Sequence, residues 1–180
     1  MFETTQSLSG LSVGIISLGH IGNKYAQMAK GLGVSKLFYH SRTKKPDIEL
    51  DTGIIYKEKQ AIFEDCDVIF VSVPIGPGKG FIAKEQIYGL KKGSLLISIS
   101  DPLLFDIDAL YERLKSGDIR GAFDENINDE RLRKLPLGVW YTPNESSAFN
   151  TGKTIEDVSN SSVDTLLNLL TNGKDKYRVN

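Results

Sequence analysis

The sequence predicts a doubly wound, mostly parallel α/β sheet, a Rossmann-type fold, in a single domain. Three observations point to it. Short apolar runs alternate with helix-patterned stretches along the chain. One run, Asp67 to Pro74, is almost continuously apolar, as a parallel strand covered on both faces must be. The first strand breaks into a turn of small residues that opens a helix. No internal repeat, low-complexity tract or composition break marks a boundary, so residues 1–180 are read as one domain.

Composition limits the function classes. With 180 residues, 40% of them hydrophobic, the chain suits one well-filled core. The net charge of -1, from 22 basic and 23 acidic residues, gives no electrostatic reason to expect nucleic acid or an anionic membrane surface. Lys44-Lys45 and Lys91-Lys92 read as solvated loops. Cys66, the single cysteine, excludes an internal disulfide and a cysteine-rich zinc cluster, and no metal-ligand set is evident. The N-terminus lacks signal-peptide character and no stretch has the length of a membrane span, so a soluble, cytoplasmic protein is expected.

The elements follow in order. Val13–Ile16 is a short buried strand, and His20 to Ala29 or Lys30 a helix with Gly31 and Gly33 as stop signals. Lys36–His40 is the second strand, followed by the polar run Ser41–Pro46. Gly53–Tyr56 is a third strand and Lys57–Phe63 a short helix. After the strand from Asp67 come a glycine-rich turn at 75–80, a helix near Lys84–Tyr88 and a buried strand at Gly93–Ile99. Asp106 is a good N-cap for Ile107–Lys115, with Gly117 closing that helix. Ile119–Phe123 and Gly138–Tyr141 are short strands, and Thr154–Leu170 is a final amphipathic helix.

The turn Ser17-Leu18-Gly19-His20-Ile21-Gly22 has the context of a dinucleotide fingerprint with its first glycine replaced by Ser17. A helix N-terminus offers free N–H groups and the positive end of a dipole, which suit a diphosphate. Gly19 allows close approach and Gly22 allows the helix to pack on the sheet, while Ser17 lacks glycine's freedom at a tight turn. A plain strand-turn-helix packing motif is the alternative. About 20 positions beyond the glycines such folds usually carry an acidic residue for the ribose hydroxyls. Here Tyr39-His40-Ser41-Arg42-Thr43 has no carboxylate. A hydroxyl beside an arginine suits a 2′-phosphate, which favours NADP(H) over NAD(H); a solvated turn is the competing reading.

From about Leu8 to Asn172 the sequence resembles the coenzyme-binding domain of the D-isomer-specific 2-hydroxyacid dehydrogenases. The matches are Leu8–Ile16 leading into the loop, Leu18–Gly22, Asp67–Val68–Ile69 through Val73–Pro74, Leu90–Ile97, Asp108–Leu110, Leu114–Gly117, Gly121–Ala122, Leu135–Pro136 and Thr142–Pro143. The resemblance implies cofactor contacts at Leu18, Gly19, His20, Ile21 and Gly22, at Ser41, Arg42 and Thr43, at Val73 and Pro74 over the adenine, and at Ile99, Ser100, Asp124 and Asn144. Asp124 matches the family aspartate near the nicotinamide, although Gly121-Ala122-Phe123 is one residue short there.

The same resemblance exposes departures. The family holds its substrate carboxylate with an arginine and transfers a proton with a histidine oriented by a carboxylate. The arginine's place is Asp101, the histidine's is Asn144, and the partner carboxylate falls at Asp129 or Glu130. Asp101 would repel a carboxylate, and Asn144 does not exchange a proton at physiological pH. The two histidines, His20 and His40, are read as structural or cofactor-contacting.

With seven residues before Leu8, the family's substrate domain is expected to be absent from this chain. The apolar stripe Val158, Leu166, Leu167 and Leu170 then packs on the chain's own sheet, or against a partner chain supplying the missing domain, or in a homodimer, which the resemblance favours. Three functions follow. The first is an oxidoreductase acting on the CH–OH group of a 2-hydroxy acid, with Asp101, Asp129, Glu130, Tyr141 and Asn144 as remaining candidates and no roles assigned. The second is a catalytically silent nucleotide-binding or assembly module. The third is a scaffold that no longer binds nucleotide.

Overall fold

The computed structural model describes residues 7–74, 76, 78–142 and 152–172. They belong to two compact units, Met1–Asn144 and Glu145–Asn180. In the first, strands β1 (Ser12–Ile16), β2 (Lys36–His40), β3 (Ile55–Tyr56), β4 (Val68–Val71), β5 (Leu95–Ser98), β6 (Arg120–Phe123) and β7 (Trp140–Tyr141) form one sheet in the order β3-β2-β1-β4-β5-β6-β7. Every neighbouring pair is parallel. Helices α1 (His20–Gly31), α2 (Pro46–Thr52), α3 (Lys59–Asp65), α4 (Lys84–Tyr88), α5 (Ile107–Lys115) and α6 (Glu130–Arg133) lie between the strands in sequence.

The doubly wound expectation holds. The chain builds outward from β1 through β2 to β3, then returns to place β4 on the other side of β1. The register sets Ile16 opposite both His40 and Val71, so the carboxyl ends of β1, β2 and β4 lie side by side where the winding reverses. Ligands of open α/β sheets bind at such a point.

Packing follows from the strand pleat. Val13 and Ile15 of β1 join Ala26 and Ala29 of α1 in one buried cluster. Ile16 belongs to a second cluster with Ile62 and Phe63 of α3 and the buried residues of α4 and α5. All four residues of β4 are buried, which explains its unbroken apolar run.

Boundaries set by local capping agree with the sequence. Asp106 accepts a hydrogen bond from the Ala109 N–H (3.0 Å), and α5 spans the residues expected. Four elements differ. The run after β2 leads into α2, begun by Pro46 and closed by Gly53 in the left-handed conformation (φ 75°). Gly53 is thereby a helix cap rather than the start of a strand, and β3 shrinks to Ile55–Tyr56. A 3-10 turn at Pro102–Leu104 and the short α6 were not foreseen either.

The second unit is described through α7 (Gly152–Asn172). Its stripe of Val158, Leu166, Leu167 and Leu170 is not covered within that unit. No helix of the described residues is long and apolar enough to cross a membrane.

The Asp67 carboxylate ties the amino ends of β1 and β4 and carries an ion pair with Lys91. Asp67 accepts hydrogen bonds from the Ser12 N–H (2.8 Å), the Ser12 hydroxyl (2.7 Å) and Lys91. Lys91 is exposed, as expected, and also ion-paired to Asp67. Burial pushes the Asp67 carboxyl up, but these donors outweigh burial and hold it at about 2. Its folded value lies below the unfolded one of about 3.9. The group therefore stabilises the fold above about pH 4, and that contribution is lost as the pH falls toward 2. Thermal melts of wild type and Asp67→Asn are expected to differ by about 1–2 kcal/mol at neutral pH and to draw together near pH 2.

Candidate functional site

A cleft of about 550 Å³ opens at the carboxyl ends of β1, β2 and β4. Its floor is the turn between β1 and α1. Ser17 there has φ 77°, alone among the described non-glycine residues in taking a positive φ. The tight turn demanded by the sequence pattern is thus made, with a serine held where glycine is the natural occupant. Three hydrogen bonds hold it: the Ser17 N–H donates to the His40 carbonyl (2.8 Å), the Ser72 hydroxyl donates to the Ser17 carbonyl (3.0 Å), and the Leu18 N–H donates to the Ser41 hydroxyl oxygen (2.8 Å). Ser17→Gly is expected to raise stability by about 1 kcal/mol, read as a rise of a few degrees in the melting temperature.

Gly19 is the N-cap of α1, with no side-chain cap and no acidic residue in the first turn. A Cβ added at Gly19 would meet nothing within 4 Å, so the backbone stands open to the cleft. Gly22 is the opposite case. A Cβ there would collide with the Ser17 carbonyl oxygen and come within 3.1 Å of the Ser72 hydroxyl, so α1 seats on the turn only because the side chain is missing. An uncapped helix N-terminus with open backbone fits an anionic diphosphate.

The rim comes from the segment after β2. Ser41, Arg42, Thr43 and Lys45 line the cleft, while Val73, Pro74 and Phe81 form an apolar wall. No carboxylate is among the lining residues. Among the described residues no hydrogen bond or ion pair engages the Arg42 guanidinium or the Lys45 ammonium. Lys45, expected in a solvated loop, is half-buried and lines the cleft. Lys45 and Phe81 are lining side chains that the sequence did not connect with the cofactor, and His40, read as structural or cofactor-contacting, lines the cleft as well.

The other expected residues are placed elsewhere. Ser100 is buried; its hydroxyl accepts from the Val73 N–H (2.8 Å) and donates to the Val71 carbonyl (3.3 Å), bracing the strand end beneath the wall. Ile99 packs against the cluster behind β1. His20 and Ile21 are exposed on the first turn of α1. Asp124 is half-buried at the end of β6, its N–H donating to the Ser98 carbonyl (2.9 Å). Tyr141 is exposed. Asn144 lies outside the described residues.

The acidic candidates have structural duties. Asp101 caps the 3-10 turn, accepting from the Leu103 N–H (2.8 Å). Asp129 caps α6 and pairs with Arg131 at 2.7 Å, and the Arg131 hydrogen bond holds its carboxyl below the usual range. Arg131 also reaches Asp108 (2.8 Å), and Glu130 is exposed. A carboxylate locked to an arginine in this way is a poor proton carrier near neutral pH.

Comparison with known proteins agrees with this geometry. The family model described as D-isomer specific 2-hydroxyacid dehydrogenase, NAD binding domain, matches residues 2–145. The chain belongs to that family. Glyoxylate reductase of Thermococcus litoralis is 34% identical over 134 residues, which cover 71% of this chain and 40% of that enzyme. A D-lactate dehydrogenase from a Sporolactobacillus species is 25% identical, with a TM-score of 0.80 over 97% of this chain and 57% of that one. The NAD+-bound 3-phosphoglycerate dehydrogenase of Entamoeba histolytica shares the fold at 20% identity, with a TM-score of 0.83 over 97% of this chain and 56% of that one. The chain spans less than half the length of the first curated relatives it matches. What it contains is the family's NAD-binding domain.

Proposed function

We propose that this chain is the cofactor-binding part of an oxidoreductase acting on the CH–OH group of a 2-hydroxy acid, and that it prefers NADP(H) to NAD(H). The observation that carries the preference is the cleft rim: Arg42 and Lys45 face it beside the Ser41 hydroxyl, with no carboxylate in the lining. A ribose bearing two free hydroxyls wants an acceptor at this rim, and one bearing a 2′-phosphate wants donors and positive charge. Ser41 suits the second case, since the Leu18 N–H occupies its oxygen and leaves its O–H to donate. The diphosphate lies at the N-terminus of α1, and Val73, Pro74 and Phe81 form the apolar wall for the adenine. The cofactor, when bound, supplies or accepts the hydride.

Turnover by this chain alone is a different matter. Asp101 and Asp129 are committed to capping and to Arg131, and neither serves as acid or base. Those commitments favour a second reading, a nucleotide-binding module without chemistry of its own. Fluorescence titration of the purified chain with NADPH and NADH tests the binding, and a screen of 2-keto acids with NADPH tests the chemistry. The expected result is binding of NADPH without oxidation above background; oxidation by the isolated chain would overturn the silent reading.

A further inference from the structure

We propose that the buried hydroxyl of Tyr39 is a positioning group that sets the discrimination between NADPH and NADH without touching either. The inference rests on the cofactor preference just proposed and names the device behind it. Tyr39 is the penultimate residue of β2, paired with Ile15 of β1, and its side chain is fully buried. Its ring packs edge-on against Tyr56 (centroids 5.5 Å apart, planes at 84°). The oxygen accepts a hydrogen bond from the Lys45 N–H (2.7 Å), and the O–H donates to the Glu49 carboxylate of α2.

Lys45 is also the N-cap of α2, and its carbonyl accepts from the Glu49 N–H (2.9 Å). Tyr39, Lys45 and Glu49 thus close a ring of three hydrogen bonds. At the other end of the segment the Leu18 N–H is bonded to the Ser41 hydroxyl oxygen (2.8 Å). The five residues Ser41–Lys45 are therefore tied at both ends, once to the turn beneath the diphosphate site and once to the core of the sheet. Arg42, Thr43 and Lys45, which line the cleft, are carried by that tied segment.

A phenylalanine would fill the same volume, so packing alone does not explain the hydroxyl. A buried hydroxyl is costly unless bonded, and this one is engaged with the residue whose side chain lines the cleft. Burial pushes the phenol up and Glu49 pushes it further, so it remains a protonated donor across the physiological range. Fixing a loop in its binding conformation before the ligand arrives raises affinity for the ligand that uses that loop. NADH lacks the 2′-phosphate and gains nothing from the arrangement.

The test is the ratio of NADPH to NADH dissociation constants in the full chain. Tyr39→Phe is expected to weaken NADPH about tenfold and to change NADH by less than about twofold. Glu49→Gln keeps an acceptor for the Tyr39 hydroxyl and is expected to retain the wild-type ratio. Should Tyr39→Phe fail to fold, Glu49→Leu removes the acceptor while leaving the tyrosine, and is expected to raise the ratio. Loss of thermal stability with an unchanged ratio, or equal weakening of both cofactors, would overturn the positioning role. The wild-type ratio is read first: a chain with no NADPH preference refutes the proposed preference itself. A preference that survives Tyr39→Phe refutes only the role of the hydroxyl.

Discussion

Replacing Gly22 by alanine is expected to destabilise the first unit by about 3 kcal/mol and to abolish measurable cofactor binding. The added Cβ would drive into the Ser17 carbonyl oxygen and close on Ser72 and Ile15, at 3.1 and 3.3 Å. None of these is the free end of a flexible side chain. The Ser17 carbonyl is part of a backbone already held at φ 77°, and Ile15 is fully buried. Relief requires α1 to lift from the sheet, moving the uncapped N-terminus that would face the diphosphate. A melting temperature lowered by about 10 °C is the corresponding thermal signature. Gly19→Ala, at an open position, is expected to leave stability nearly unchanged and to weaken binding alone.

Arg42→Ala is expected to weaken NADPH binding by about 10- to 100-fold while leaving NADH within about twofold. Hydrogen bonds to charged groups contribute about 1.5–3 kcal/mol, and each 1.4 kcal/mol is tenfold in affinity. Arg42 is exposed and carries no hydrogen bond or ion pair among the described residues, so its removal has little to disturb in the fold. Equilibrium titrations of both cofactors at one fixed salt concentration, with a melting curve as control, separate the two effects. Added salt is expected to narrow the NADPH advantage, because an exposed cation is readily screened.

Much of the fold was legible in the sequence because local rules fixed it. Asp106 capped α5, β2 kept its expected ends, and the unbroken apolar run at Asp67–Pro74 proved to contain a strand buried on both faces. The strain at Ser17 was equally legible, since the glycine pattern itself demands a turn that serine resists. The segment after β2 was not. Ser41-Arg42-Thr43 read as a candidate 2′-phosphate site and Lys44-Lys45 as solvated loop, and nothing local announces that Tyr39 grips the Lys45 N–H or that Gly53 closes a helix. Those contacts exist only once β2 and α2 are packed together.

The same limit applied to Ser100, Asp101 and Asp129. Alignment with the family places them around the cofactor and substrate, whereas their side chains are engaged with the Val71–Val73 backbone, a 3-10 turn and Arg131. A sequence position specifies which residue stands near a site, and hydrogen-bond partners decide whether its atoms are available to it.

The most direct measurement of the central claim is a paired fluorescence titration of the wild-type chain with NADPH and NADH. NADPH is expected to bind at least about tenfold more tightly, the equivalent of one charge-assisted contact to the 2′-phosphate. Equal or tighter binding of NADH, or binding of neither, would contradict the assignment of the Arg42 and Lys45 rim to a phosphorylated cofactor.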